Sequence, residues 1–252
     1  MISLPLAFRR HAATIGLLCI AVVALAGRTA AADQEAKHFE KEVTITVKLN
    51  YLLFLPTDYA QSDKKWPLIL FLHGAGESGE NLEKVKAHGP PKIVDKNADF
   101  QFILVSPQSR GRGWDSNTLR ALLDDVCDNY RVDRDRVYLT GLSMGGYGTW
   151  RLAADHPQYF AAIAPICGGG NPNDAKKLKD LPIWVFHGAK DTAVPLRASE
   201  EMVKALKEAG NDVKFTVYPE AGHDSWTETY DNPELYQWFL SHKRGEKTEA
   251  GS

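Results

Sequence analysis

Five runs of four to six apolar residues, set apart by helix-like stretches, constrain this chain's fold more than any other feature. Residues 67–72, 102–105, 161–166 and 183–186 carry no polar side chain, and 137–140 is interrupted only by Thr140. A strand with one face in water alternates apolar and polar residues, whereas a strand covered on both faces reads as a continuous apolar run. Residues 43–47 and 213–217 do alternate, and 51–55 reads as the partner of the first. Helical spacing fills the intervals. Leu119, Leu122, Leu123 and Val126 form one stripe, residues 152–154 continue a helix that starts near Ser143, and Met202, Val203 and Leu206 share a face ahead of Gly210. Residues 233–242 make a last helix. This alternation predicts an α/β fold with a mostly parallel central sheet of about eight strands, helices on both faces and an antiparallel start.

The first 32 residues read differently. Arg9 and Arg10 precede an apolar stretch at 14–27, and Ala30 and Ala32 stand as A-x-A before Asp33. A charged start, a short apolar segment and a small-residue cleavage site describe a secretory signal peptide. The 14-residue stretch is shorter than the roughly 20 residues a membrane span needs, so no stable membrane anchor is expected. Leu18 before Cys19 is too bulky for lipid attachment. The reading is a signal at 1–32, a catalytic domain at 33–245, a polar tail at 246–252, and a secreted or periplasmic location. Removing 1–32 takes away three arginines and no acid, leaving 27 basic and 32 acidic side chains, a net charge of −5. That balance excludes a nucleic-acid partner that would need a basic patch. Cys127 and Cys167 remain, and free thiols are expected.

The chemistry concentrates at Gly141-Leu142-Ser143-Met144-Gly145, a G-x-S-x-G directly after the apolar run 137–140 and before a helix. In that strand–turn–helix setting a sharp turn lifts the serine oxygen clear of the strand end, and small neighbours prevent clashes. A nucleophilic serine needs a base, and the base an orienting acid. In such a fold they follow in the order acid, then histidine. The loop after 183–186 offers Asp191, and the loop after 213–217 offers His223. Asp224 adjoins His223 too closely in the chain to bond it, and Asp174 and Asp180 precede their strand. His187 is expected to pack locally, and His38, His88 and His242 to lie at the surface.

Residues 72–79, Leu-His-Gly-Ala-Gly-Glu-Ser-Gly, follow another apolar run. Their backbone N–H groups suit an oxyanion hole, with Ala75 and Met144 as the expected donor pair and His73 as a support. The same segment matches G-x-G-x-x-G, but a dinucleotide site needs an acid at the end of the next strand, and Asp99 precedes that strand. No cofactor is expected. No H-E-x-x-H or paired-cysteine spacing occurs, so no metal is expected either. Gln108, Trp114 and Trp226 flank the presumed cleft as candidate substrate contacts.

Together these stretches resemble the α/β-hydrolase superfamily. Within it the chain is similar to small secreted esterases of the phospholipase/carboxylesterase, dienelactone hydrolase and polyhydroxybutyrate-depolymerase-like groups. The resemblance runs over 39–243 through 73–80, 138–150, 164–170, 187–195 and 221–226, and 141–150, GLSMGGYGTW, is its most specific piece. It implies hydrolysis of carboxylic esters through an acyl-enzyme, with Ser143, Asp191 and His223 as the triad. The substrate would be a small-molecule or polysaccharide-linked ester. Only 167–182 lies where larger relatives insert a lid, so an open cleft with little or no lid is expected. A prolyl-oligopeptidase-like peptidase and a catalytically silent binding protein are the competing readings.

Overall fold

In a computed structural model, residues 35–96, 99–111 and 113–246 are described. The chain divides into two units, 1–45 and 46–252. The described part of the first carries neither helix nor strand. The expected signal peptide lies outside the described residues, as does all of the expected tail except Glu246. No helix among the described residues is long and apolar enough to cross a membrane.

The second unit is built on seven strands: β1 (Asn50–Phe54), β2 (Trp66–Leu72), β3 (Ile103–Gln108), β4 (Val132–Leu142), β5 (Ala162–Ile166), β6 (Trp184–Gly188) and β7 (Lys214–Tyr218). They lie in the order β1-β3-β2-β4-β5-β6-β7. Only β1 runs antiparallel, pairing with β3, and the other neighbours are parallel. Among the described residues six α-helices accompany them: α1 (Gly89–Val94), α2 (Ser116–Asn129), α3 (Met144–Asp155), α4 (Arg197–Glu208), α5 (Trp226–Asp231) and α6 (Pro233–Leu240).

Strand geometry explains the apolar runs. Successive side chains point to opposite faces, so Leu68, Leu70 and Leu72 join one core while Ile69 and Phe71 join another. The first core takes the apolar stripes of α2, α3 and α4, including Leu119, Leu123, Trp150, Met202 and Leu206. The second takes Tyr230, Leu235 and Phe239 from α5 and α6. All seven residues of β2 are buried, as a strand with helices on both faces requires.

Two expectations change. The described residues form seven strands, not about eight, because 43–47 makes no ladder, and Val43, Ile45 and Val47 are exposed. Alternation makes a strand only where a partner edge supplies its hydrogen bonds. The strand expected to pair with 43–47 instead pairs with β3, from Asn50↔Gln108 to Phe54↔Leu104. Secondly, His242 is buried rather than superficial. Its Nδ1 lies 2.7 Å from the Trp238 carbonyl, and its own carbonyl accepts the Tyr138 hydroxyl at 2.9 Å. Burial pulls the imidazole pKa down.

Candidate active site

Because β2 to β7 are parallel, their carboxyl ends share one edge, where sites in open α/β sheets form. Ser143 follows β4 there. It has φ 54° and ψ −116°, a left-handed conformation that costs an ordinary residue about 1–3 kcal/mol. The turn holds because Ser143 N–H donates to the Ile166 carbonyl (3.0 Å) and its own carbonyl starts α3 by accepting Tyr147 N–H (3.0 Å). Space also demands glycine. A Cβ on Gly145 would stand 1.9 Å from the Leu72 carbonyl oxygen, and one on Gly141 2.5 Å from the Gly145 carbonyl oxygen.

His223, in the loop after β7, places Nε2 2.9 Å from Ser143 Oγ. Its Nδ1 lies 2.7 Å from Asp191 Oδ2. Asp191 Oδ1 accepts the backbone N–H groups of Ala193 and Val194, both at 2.9 Å. Burial pushes the Asp191 carboxyl pKa up, but the bonds from His223 and these two amides outweigh it and hold the pKa below the ordinary value. An ionised Asp191 accepts from Nδ1–H, which leaves the Nε2 lone pair facing the serine hydroxyl. Such a row can take the serine proton as the oxygen attacks and return it to a leaving group. His187 supports the acid loop: its Nε2 lies 2.9 Å from the Val194 carbonyl and 3.3 Å from Asp191 Oδ2, and its Nδ1 2.8 Å from Ser199 Oγ. Asp224 instead caps the following turn, accepting Thr227 N–H at 3.0 Å.

Ala75 opens a 3-10 turn (Ala75–Glu77) and Met144 opens α3. Amides at such starts have no acceptor within their helix and are free for a ligand's negative charge. Both residues line one cleft of about 770 Å³. His73 braces the first of these loops. Its Nδ1–H donates to the Gly74 carbonyl (2.6 Å), and its Nε2 accepts Ser109 N–H (3.0 Å). Only a neutral ring makes both bonds, and burial holds the His73 pKa down.

This sets a pH dependence. Below about pH 6.5 the unfolded chain takes up a proton that folded His73 refuses, so stability is full above that range and drains away as pH falls toward the folded pKa. His242 acts in the same direction and window. Asp191, with its lowered pKa, withdraws stability only at more acid pH, below about 4. The urea midpoint is therefore expected to fall between about pH 7.5 and about pH 5.5, and to fall less in His73→Gln. Equal falls in the two proteins would remove His73 from this account.

The candidate substrate contacts separate. Gln108 is buried, and its Nε2 donates to the carbonyls of Glu77 and Asn81, both at 2.7 Å, so it clamps the loop that follows the Ala75 turn. Trp114 lines the cleft, with its ring edge-on to His73 at 4.8 Å. Trp226 stands edge-on to His223 at 5.2 Å and to His88 at 5.4 Å, forming a wall between the two rings. Sequence reasoning missed Tyr147, Trp150 and Met202, which line the same cleft from α3 and α4. Tyr147 carried a readable signal, a large aromatic between Gly146 and Gly148 just beyond the serine, and it is 45% exposed. Cys127 and Cys167 are free thiols.

Known proteins share this framework. A solved thermostable esterase is 35% identical, with a TM-score of 0.67 over 79% of this chain and 60% of its own. The bifunctional acetylxylan esterase/xylanase XynS20E of Neocallimastix patriciarum is 27% identical over 74% of this chain and 27% of its own. Poly(3-hydroxyalkanoate) depolymerase C of Paucimonas lemoignei is 31% identical over 41% of this chain and 28% of its own. The chain spans no more than 41% of the length of the relatives it matches first. The model of the dienelactone hydrolase family matches residues 94–238, which include Ser143, Asp191 and His223. With more than half of its length under that match, and with this sheet and turn, the chain is an α/β-hydrolase-fold protein that belongs to the dienelactone hydrolase family.

Proposed function

We propose that this protein is a serine hydrolase that cleaves carboxylic esters through an acyl-enzyme. One observation carries the reading: His223 bridges Ser143 Oγ at 2.9 Å and Asp191 Oδ2 at 2.7 Å. Ser143 Oγ attacks the ester carbonyl carbon while His223 Nε2 takes its proton. The carbonyl oxygen gathers negative charge at the Ala75 and Met144 N–H groups, where loss of one donor typically costs about 10²–10³ in rate. The tetrahedral adduct collapses, and the leaving alcohol takes the proton from His223. Water then repeats the sequence on the acyl-serine and releases the acid. Asp191 stays ionised and steadies the imidazolium.

The cleft walls of Trp114, Tyr147, Trp150 and Met202 suit an ester with a bulky apolar or aromatic part, either a small molecule or a group carried on a polysaccharide. The only element between β5 and β6 is a 3-10 helix, Pro172–Leu178, which supports an unlidded site. The sequence pattern at 1–32 supports an export signal ahead of a catalytic domain at 33–245, and so an activity outside the cytoplasm.

A fluorophosphonate probe is expected to label the protein at Ser143. Ser143→Ala is expected to abolish labelling and to lower hydrolysis of p-nitrophenyl esters about 10⁶-fold. A folded wild-type protein that neither labels nor hydrolyses any ester of a chain-length series would instead be a silent hydrolase fold.

A further inference from the structure

Beneath the triad lies a group that ester hydrolysis does not use. Cys167 directly follows β5 as a buried residue at φ 40°, one of two non-glycine residues at positive φ among those described. Ligand atoms of Cys167, Asp191 and His223 all lie within 4.8 Å of one another. The three come from separate loops, after β5, β6 and β7. Burial pushes the Cys167 thiol up to about 12, so the sulfur stays protonated until something replaces that proton.

We propose that these three residues form an inhibitory site for a thiophilic divalent cation such as zinc or cadmium. Thiolate, imidazole and carboxylate together are a zinc-type donor set, and sulfur selects against hard cations such as magnesium. Tetrahedral zinc with its usual bond lengths holds neighbouring donors about 3.5 Å apart. The widest pair therefore needs to contract by little more than about 1 Å, His223 Nδ1 and Asp191 Oδ2, now 2.7 Å apart, need to open by about 0.8 Å, and half-buried His223 supplies both movements. The cation replaces the Cys167 proton, which passes to water. It binds His223 at Nδ1, whose proton moves to Nε2, and it takes Asp191 Oδ2 from its hydrogen bond. No electron is transferred. The imidazole then presents N–H rather than a lone pair to Ser143, and the serine has no base.

The mode of inhibition rests on the esterase reading, but the binding does not, and the test separates them. Zinc is expected to inhibit hydrolysis of p-nitrophenyl acetate reversibly, with recovery on adding EDTA, and magnesium is expected to have no effect. Cys167→Ser is expected to raise the half-inhibiting zinc concentration about tenfold or more, since loss of even an outer partner of a metal ligand costs about 10–100-fold in affinity. Independently of activity, wild type minus Cys167→Ser is expected to show thiolate-to-cadmium absorption, with Cys19 and Cys127 cancelling in the difference. Ser143→Ala, which removes the nucleophile and no ligand, is expected to keep that absorption. Cys167→Ala repeats both measurements should the serine variant not fold. Equal zinc sensitivity in wild type and variant, or no difference in cadmium absorption, would overturn the site.

Discussion

Asp191→Asn is expected to lower kcat about 10⁴-fold and to leave KM near its original value. The reason lies in how the carboxylate is held. Oδ1 accepts two backbone amides, from Ala193 and Val194, while Oδ2 faces His223. An asparagine of the same shape puts its oxygen against those amides and its NH2 group against Nδ1. The ring then carries its proton on Nε2 and offers Ser143 no lone pair. Binding surfaces are untouched, so the loss falls on the chemical step. Steady-state kinetics on a p-nitrophenyl ester, with fluorophosphonate labelling rates alongside, reads this directly. Activity within tenfold of wild type would move the acid role away from Asp191.

Gly145→Ala is expected to cost more than about 4 kcal/mol, beyond the range of ordinary substitutions. The added carbon would meet the Leu72 carbonyl oxygen at 1.9 Å, the Leu72 carbonyl carbon at 2.5 Å and the His73 carbonyl oxygen at 2.8 Å. All three are backbone atoms at the end of β2, a strand wholly buried between two cores, so no side chain can rotate out of the way. Relief requires the start of α3 to back away from the sheet. That also carries the Met144 amide away from Ala75, so any protein that does fold is expected to have lost activity. Gly76→Ala is the control: its Cβ would meet nothing within 4 Å, and a change of about 1 kcal/mol or less is expected. Urea unfolding of both variants tests the contrast. Similar midpoints would show that α3 can shift freely.

The strands and the turn at Ser143 were legible because both are local in origin. A strand covered on two faces must be apolar throughout, and an elbow needs glycines beside its serine. What was not legible depends on partners distant in the chain. β4 starts at Val132 rather than at residue 137, although Asp133, Arg134, Asp135 and Arg136 are charged. Val132 is held by pairing with Trp66, which no periodicity records. Residues 43–47 have the right alternation and no ladder. Gln108 shows the same limit at the site. A polar residue ending a buried strand reads as a ligand contact until its amide is found on the Glu77 and Asn81 carbonyls. Met202 was read as part of a helix face, and Tyr147 and Trp150 only as part of the stretch 141–150, because spacing tells which side of a helix is apolar but not where that side meets open space.

The bond between His223 and Ser143 joins residues 80 positions apart. His223 hangs from the loop after β7, which borders only β6 and is the outermost strand at its end of the sheet. Ser143, its turn and the Ala75 and Met144 amides follow the interior strands β4 and β2, whose own pairing would survive with β7 undocked. In that state the serine has its place but no base. On the proposed mechanism, turnover and reaction with an active-site phosphonate are therefore expected only with β7 docked. On the proposed mechanism, hydrolysis would be a readout of β7, lost on fraying there while the interior strands kept their order.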